Sequence, residues 1–513
     1  MTQLSFYIVS DVHGYIFPTD FSQRNQALPL GLLKANQLIE EERSHDDYSL
    51  KIDNGDFLQG APLCNYLISE LGSSKPLTDI YNRLNFDFGT IGNHEFNYGF
   101  SYLKDTLNRL NHPVLCANIL DNQNLPFTGN GVYYFEKGGL TIGVIGVTTQ
   151  YIPNWENPAH IKDLTFTSAV DTLKRLLPEV RKQSDIVVIS YHGGFERDLE
   201  NNEPTEDLTG ENEASAILNQ FHKDIDVLIT GHQHREIATI KHDVAVIQPG
   251  TRATQVGKVT LTLNHHRQII KKEAKLLPVT SDIELNILEQ DASLLTHLED
   301  WLDTNITTLS EPMLINDKFE ARRQPHPFLN LLNYILLEKS GADIASTALF
   351  DSATGFNQQV TMREIINNYP FPNTFQVLKL SGAQIKEALE QSASYFALDN
   401  NNHITVNEDY LYPKPQHYNY DIYGGMTYTI QVGQPIGQRV TNIKVGKKTL
   451  NPEEFYTICV NNYRAVGGGN YKMFANAPVI KDIQEEGAQI LIDFMTKHDV
   501  STIPQVVDFE VIV

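Results

Sequence analysis

The sequence is poor in cysteine and has no long apolar run. Its three cysteines, Cys64, Cys116 and Cys459, are far apart and form no C-x-x-C pair. We therefore expect no disulfide framework, and we interpret Cys116 and Cys459 as small core residues. No segment reaches the roughly 20 apolar residues of a membrane span. The first residues, MTQLSFYIVSDVHG, lack a basic and apolar leader, which predicts a cytoplasmic protein.

Positive charge is scarce as well. The chain has 40 Lys and Arg against 63 Asp and Glu, a net charge of −23. The negative electrostatic field of such a chain disfavours binding to nucleic-acid polymers and anionic membranes, so we expect neither as a partner. No obligate protein partner is evident. An anionic substrate would need local positive charge, which bound divalent cations can supply.

The length of 513 residues exceeds what one hydrophobic core supports and predicts two domains. Over residues 1–278, short apolar runs alternate with helical patterns, which is typical of a layered α/β domain. Residues 279–318 are apolar at helical spacing and rich in charge, which predicts a connecting helix or linker. A second set of helices and strands occupies residues 319–513.

Polar clusters follow five of the apolar runs in the first domain. The clusters are DVH, NGD, GNHE, YHGG and GHQH, and they supply Asp11, His13, Asp56, Asn93, His94, His192, His232 and His234. The D-x-H and H-x-H spacings place both side chains on one face where the chain is extended. Any single cluster is weak evidence for a functional site. Five such clusters at strand ends argue against a purely structural role.

This ligand chemistry predicts a metal site. Mixed carboxylate, amide and imidazole donors suit Mn, Zn, Fe, Co or Ni better than Ca. The donors are too many for one tetrahedral ion, so we expect a pair of ions with Asp56 as the bridge. Two ions about 3.5–4 Å apart can hold a hydroxide between them and direct it in line at phosphorus. The expected reaction is metal-assisted hydrolysis of a phosphoester.

In this order the five clusters resemble those of the calcineurin-like metallophosphoesterases. The segments YPFPNTFQVLKLSGAQIKEALEQSA and NNYRAVGGGNY resemble the C-terminal domain of the 5′-nucleotidase family. The resemblance covers essentially the whole chain. It implies an α/β fold with an N-terminal layered α/β/β/α metallophosphoesterase domain, a connecting helix and a C-terminal α+β nucleotide-binding domain.

The resemblance also implies roles for single residues. One metal would be held by Asp11, His13, Asp56 and His234, and the other by Asp56, Asn93, His192 and His232. His94 would face the scissile phosphate. Two aromatic rings, at Tyr420 and Tyr463, would sandwich the base, and stacking of this kind is worth roughly 1–3 kcal/mol per base. Gly468 lies in a glycine run that favours close approach of a ligand to the backbone.

Position 97 bears on the substrate. Family 5′-nucleotidases usually carry GNHEFD, in which the Asp pairs with the catalytic histidine, whereas this chain has Asn97. Asn97 can orient His94 but supplies no negative charge. The stretch GNHEFNYG instead resembles the branch of 2′,3′-cyclic-nucleotide 2′-phosphodiesterases with 3′-nucleotidase activity. We hypothesise that a cyclic diester needs less proton help here, so that Asn97→Asp raises monophosphate turnover relative to cyclic diester turnover.

Two alternatives stay open. A 5′-nucleotidase on the same scaffold would act on a different nucleotide substrate. A nucleotide- or metal-binding protein without catalysis is less favoured, because loss of activity normally leaves a missing ligand and this ligand set is intact.

Overall fold

The computed structural model of the chain describes residues 2–513 apart from 207, 284, 286, 372, 413, 484 and 501. The chain forms two compact units, Met1–Glu299 and Asp300–Val513. The division falls within the helix Glu289–Leu302. Within residues 279–318, this helix is followed by the strand Asn305–Thr308, which pairs with Gln359–Thr361 of the second unit.

Two six-stranded sheets build the first unit. In spatial order, the strands of the first sheet are Ile269–Pro278, Gln255–Leu263, Thr2–Val9, Tyr48–Asp53, Phe88–Thr90 and Val114–Leu115. Those of the second sheet are Glu236–Lys241, Val244–Pro249, Val227–Ile229, Ile186–His192, Leu140–Thr148 and Val132–Lys137. Four neighbouring strands of each sheet run parallel. Their carboxyl ends therefore meet at one edge, where ligands bind in open α/β sheets.

The two sheets face each other across an apolar core. Phe6 and Ile52 of the first sheet and Val188 and Ile229 of the second belong to one buried cluster. All seven residues of Ile186–His192 are buried, as expected for a parallel strand covered on both faces. The predicted α/β/β/α layering is confirmed.

Helices cover the outer faces of the sheets. On the second sheet, apolar residues of Ala169–Gln183 and Ala214–Phe221 join a buried cluster of their own. The helices of the first unit are Leu32–Arg43, Pro62–Tyr66, Lys75–Leu84, Phe100–Arg109, Pro158–Ile161, Ala169–Gln183 and Ala214–Phe221. Ser168 caps the longest of them by accepting a hydrogen bond from the Asp171 N–H.

The second unit is an α+β assembly with its own core. Its larger sheet has the spatial order Asp421–Gly424, Ile344–Ala348, Phe455–Asn461, Phe375–Ser381 and Val479–Ile483. A four-stranded sheet has the order Lys448–Thr449, Val440–Val445, Met426–Gln431 and Val507–Ile512. The helices are Lys318–Arg323, Pro327–Ser340, Met362–Asn368, Gly382–Ala393, Asn462–Ala465 and Gly487–Lys497.

Capping chemistry fixes where these helices begin and end. Thr361 and Ser381 each form a reciprocal capping box with the residue three positions on. Gly341 ends Pro327–Ser340 in the left-handed conformation that favours glycine. All three cysteines are buried and form no disulfide, and the predicted core positions of Cys116 and Cys459 are confirmed. Among the described residues, no helix combines the length and the apolar character that crossing a membrane requires.

Candidate metal centre

The predicted ligands come together at the carboxyl ends of the parallel strands of the first unit. Asp11 and His13 follow Thr2–Val9, Asp56 follows Tyr48–Asp53, and Asn93 follows Phe88–Thr90. The other three come from the facing sheet. His192 ends Ile186–His192, while His232 and His234 follow Val227–Ile229. The site therefore spans the junction of two sheets.

The D-x-H and H-x-H spacings predicted an extended backbone at the ligand residues, but most of these residues are not extended. Five ligand residues have φ in the left-handed region between 49° and 68°, namely Asp11, His13, Asp56, His232 and His234. Side chains other than glycine rarely adopt this conformation, which is destabilising by about 1 kcal/mol or more per residue. For these five residues the extended-chain expectation is wrong, because their strands end before them and the side chains converge from tight turns instead.

Neighbouring loops are joined through their backbones. The N–H of Asp11 donates to the carbonyl of Gly55 at 2.9 Å, and the N–H of His13 donates to the carbonyl of Asp56 at 2.7 Å. Gly92 is required beside them, since a Cβ there would lie 2.2 Å from Oδ1 of Asp56. These contacts set the ligands of adjacent strands at fixed separations.

Glu95 lies beneath this arrangement. Its carboxylate is fully buried and accepts four backbone hydrogen bonds. One oxygen accepts from the N–H groups of Phe57 and Leu58 at 2.8 and 3.2 Å. The other accepts from those of Asp56 and Gly92 at 2.9 and 2.6 Å. Glu95 therefore holds the Asp56 loop against the Gly92 turn, and it acts on the site through the backbone.

His13 and His234 point their ring nitrogens at each other. The two Nε2 atoms are 3.0 Å apart, and Nδ1 of His13 lies 2.9 Å from the carbonyl of Gln59. Nδ1 is therefore the donor, which leaves a lone pair on Nε2 of neutral His13. Nε2 of His234 is also 3.5 Å from Oδ1 of Asp11. Asp11, His13 and His234 form one group with metal-ligand spacing.

A second group surrounds Asp56. Nδ1 of His192 lies 2.6 Å from the carbonyl of Asn54, so its Nε2 faces the site, 3.1 Å from Oδ2 of Asp56. Nδ1 of His232 lies 2.8 Å from Oδ1 of Asn93, and its Nε2 lies 3.0 Å from Oε1 of Glu211. Asp56, His192 and His232 also have metal-ligand spacing.

Burial and mutual charge set the protonation of these groups. Burial lowers the pKa of His13 to about 3, so this ring is neutral at pH 7. Burial opposes charge on His192 too, but Asp56 and Asp11 raise its pKa to about 10. Burial raises the pKa of Asp11, whereas His192 and His94 overcome burial and lower the pKa of Asp56. Cation binding would displace the proton of His192.

These residues fit divalent cations. Nε2 of His192 is fully buried and, within the described part of the chain, has no hydrogen bond of good geometry. Such burial is costly for a polar atom unless another partner is present. The family resemblance assigns Asp11, His13 and His234 to one metal and Asp56, His192 and His232 to the other, and each of these trios lies together in the structure.

His94 lies beside these groups. A ring nitrogen of His94 lies within ligand distance of His13 and Asp56, and its backbone N–H donates to Oδ1 of Asp56 at 2.8 Å. Nδ1 is 2.7 Å from Oδ1 of Asn97. Nε2 is therefore the ring nitrogen of His94 that Asn97 does not contact.

In the second unit the structure corrects one prediction. Tyr420 is fully buried, with its ring stacked on that of Tyr395 at 4.7 Å and its hydroxyl donating to the carbonyl of Arg322. A ring packed on this core has no face for a base. The half-buried tyrosine of the same segment is Tyr418, two residues earlier.

Tyr463 and Gly468 lie together. Tyr463 is half-buried, and a Cβ at Gly468 would lie 2.6 Å from its ring. Arg464, which sequence reasoning missed, is 1% exposed and binds Asp421 through two hydrogen bonds of 2.9 and 2.8 Å. Its guanidinium also donates to the carbonyls of Tyr418 and Gly468. Arg464 thus fixes the two tyrosine-bearing loops relative to each other.

Comparison with known proteins agrees with this picture. Residues 4–236 match the calcineurin-like phosphoesterase family, and residues 305–476 match the 5′-nucleotidase C-terminal domain. A Staphylococcus aureus protein solved with alpha-ketoglutarate, and provisionally named a 5′-nucleotidase, is 60% identical to this chain. The two match over 100% of both chains with a TM-score of 0.97. The chain belongs to the 5′-nucleotidase family.

Members of the 5′-nucleotidase family are hydrolytic enzymes that act on nucleotides, and calcineurin-like phosphoesterases bind divalent metals. A Yersinia enterocolitica 2′,3′-cyclic-nucleotide 2′-phosphodiesterase/3′-nucleotidase is 26% identical over 90% of this chain and 80% of its own length. The trifunctional nucleotide phosphoesterase protein YfkN of Bacillus subtilis is 22% identical over 96% of this chain. The chain spans 38% of the length of that larger relative.

Three further residues near the centre carried no sequence signal. Glu211 contacts Nε2 of His232, as noted above, and the ring of Trp155 stacks on His232 with centroids 5.5 Å apart. Glu156 accepts a hydrogen bond from the side-chain amide of Asn97 at 2.8 Å. All three lie in loops outside the five clusters, so only the tertiary fold brings them to the site.

Proposed function

We propose that the enzyme hydrolyses 2′,3′-cyclic nucleotides at the 2′ ester and then acts on the resulting 3′-nucleotides. The observation that carries this proposal is the neutral Asn97 beside His94, where an Asp would supply a full charge. The proposal is also supported by the name of the Yersinia enterocolitica relative, which matches 90% of this chain.

We further propose that two divalent first-row ions, drawn from Mn, Zn, Co, Fe or Ni, occupy the centre. The mixed donors of the two ligand groups suit such ions. Bound there, they would activate water and neutralise charge on the phosphate. The two ligand sets implied by the family resemblance, with Asp56 shared, are the sets that we assign to these ions.

His94 is the group that we assign to the phosphate and the leaving oxygen. Asn97 contacts its Nδ1, which leaves Nε2, and the His94 ring lies beside Asp56 and His13. A hydrogen bond from Nε2 to a developing negative oxygen strengthens as charge builds up, so it stabilises the transition state more than the substrate. A monoanionic cyclic diester makes a smaller demand on this proton than a dianionic monoester.

The second unit supplies a candidate surface for the base. Tyr463, backed by Gly468, and Tyr418 replace the Tyr420–Tyr463 pair expected from the sequence, because Tyr420 is buried. Stacking on tyrosine depends little on the identity of the base. We therefore propose broad base specificity.

One specific observation favours a second candidate function. The Staphylococcus aureus neighbour, at 60% identity, is provisionally named a 5′-nucleotidase. On that alternative the same centre would hydrolyse nucleoside 5′-monophosphates, and Asn97 would not determine the class of substrate.

A substrate panel separates the two. Protein reconstituted with Mn²⁺ would be assayed for kcat/KM on 2′,3′-cAMP (with a phosphomonoesterase coupled to release phosphate), 3′-AMP and 5′-AMP. We expect the cyclic diester to be preferred. A preference for 5′-AMP would establish the alternative, and metal binding without turnover of any phosphoester would refute both.

A further inference from the structure

Asn97 is held from two sides. Its Oδ1 lies 2.7 Å from Nδ1 of His94, and its Nδ2 donates to Oε2 of Glu156 at 2.8 Å. A chain of two hydrogen bonds thus runs from the His94 ring to a carboxylate. Asn97 and Glu156 are 59 positions apart in the sequence.

Glu156 is itself fixed in place. It is 7% exposed. Its second oxygen, Oε1, accepts from the N–H of Asn157 at 2.8 Å and lies 2.8 Å from Nδ1 of His160. The neighbouring Trp155 stacks on His232. The carboxylate therefore has a position set by its own segment, independently of the His94 loop.

The bonding rules of these groups then determine the orientation of His94. An ionised carboxylate can only accept hydrogen bonds, so Glu156 requires the NH₂ group of Asn97 to face it. The amide oxygen must then face His94, and an oxygen can only accept. Nδ1 of His94 must therefore carry the proton that forms this bond. If the amide were rotated by about 180°, it would present a donor to His94 and favour the opposite tautomer.

We propose that Glu156 is a positioning residue for His94. It fixes the orientation of the Asn97 amide, and through it the Nδ1–H tautomer and the direction of the His94 ring. The charge that family 5′-nucleotidases place next to the histidine is thus present one side chain farther away and acts through a neutral amide. This inference rests on phosphoester hydrolysis at the centre and not on which nucleotide is preferred.

The test is a double-mutant cycle at positions 97 and 156. In the parent, Glu156→Gln releases the orientation of Asn97, because glutamine can donate as well as accept. We expect kcat to fall about 10- to 100-fold with KM nearly unchanged, by analogy with metal-ligating histidines that lose their orienting partner. Asn97→Asp alone places two carboxylates in hydrogen-bond contact, so we expect kcat to fall here as well.

The combined variant should reverse the sign of the Glu156→Gln effect. With Asp at position 97, the aspartate accepts directly from His94, and the glutamine introduced at position 156 donates to the aspartate. Glu156→Gln should therefore raise kcat in the Asn97→Asp background and lower it in the parent. An equal loss in both backgrounds, or no loss in the parent, would overturn the proposal, because a purely structural residue gives effects that add.

Two further measurements keep the result interpretable. Histidine ¹⁵N shifts of the metal-free protein, with His94→Gln to assign the ring, should report protonated Nδ1 in the parent and a changed tautomer in Glu156→Gln. Glu390→Gln is the matched stability control. Glu390 is also 7% exposed and accepts from the N–H groups of Arg439 and Val440 in the second unit. Its variant should lower thermal stability and have the same effect on kcat in either background at position 97.

The cycle would be run on bis(p-nitrophenyl) phosphate as well as on the nucleotide panel. A wrong assignment of the nucleotide substrate would change the ranking within the panel and leave the reversal of sign intact on the simple diester. Loss of the reversal with an unchanged panel would refute the role of Glu156 alone.

Discussion

The buried carboxylate of Glu95 offers the sharpest test of how the fold holds the metal ligands. In Glu95→Gln, one carboxylate oxygen becomes an NH₂ group of nearly the same size. The amide oxygen can still serve one pair of backbone N–H groups. The NH₂ group then faces the other pair, donor against donor, and two buried N–H groups lose their acceptor.

The expected loss of stability follows from the number of buried N–H groups that lose their acceptor. Each buried donor left without a partner is destabilising by about 1–3 kcal/mol, so Glu95→Gln should lower the free energy of unfolding by about 2–6 kcal/mol. The glutamine oxygen should turn toward Asp56 and Gly92, whose contacts at 2.9 and 2.6 Å are closer on average than those of Phe57 and Leu58. Differential scanning calorimetry of metal-free protein measures the loss, and the metal content after dialysis measures the effect on the centre.

Glu390→Gln serves as the control for this experiment too, because Glu390 accepts from two backbone N–H groups where Glu95 accepts from four. Its variant should lose about half as much stability and retain its metal. The role of Glu95 would be refuted if the Glu95→Gln variant were as stable as the Glu390→Gln variant and bound as much metal as the parent. The Glu95 carboxylate would then not hold the Asp56 loop in place.

Three further predictions follow from the described contacts. Chelation with EDTA should lower the Tm of the first unit. Mn²⁺ at a thousand-fold excess over Kd should restore this Tm, because it raises the free energy of unfolding by about 4 kcal/mol. An unchanged Tm would contradict cation binding. Tyr463→Ala should raise KM for nucleotides roughly 5- to 150-fold but leave KM for bis(p-nitrophenyl) phosphate unchanged. Tyr420→Phe should change only stability. Equal effects of Tyr463→Ala on both substrates would refute a base contact. Burial raises the pKa of Glu206 to about 7, so its contribution to stability is present at low pH and is lost as pH rises from about 4.5 to 7. Glu206→Gln should thus gain up to about 3 kcal/mol relative to the parent between about pH 5 and 8, and a flat difference would refute the shift.

The clustering of the metal ligands could be predicted because each ligand follows a strand, and the strand ends can be read from local patterns. Periodicity and chain order placed Asp11, Asp56 and His192 at a common edge without any knowledge of the packing. The local patterns did not show that two sheets contribute, or that the ligand backbones are left-handed. Those features depend on how the loops meet after folding.

The site residues that were predicted wrongly or missed depend on how the chain packs in its tertiary structure. Three tyrosines lie close together, at 418, 420 and 423, and the local pattern does not distinguish the half-buried ring from the two buried ones. The choice is made by Tyr395, which comes from another segment and stacks on Tyr420. Glu156 lies in a loop with no motif, so its contact with Asn97 could be found only from the folded chain.

The hydrogen bond between Asn97 and Glu156 also constrains how the sequence of this enzyme could change during evolution. Changing Asn97 to Asp by itself creates two adjacent acids, so the substitution is disfavoured unless position 156 has already lost its charge. The two positions should therefore covary among relatives, with an acidic residue at one and a neutral residue at the other. A relative that converts between substrate classes would need both changes, and either order of mutation passes through a single variant with lower kcat.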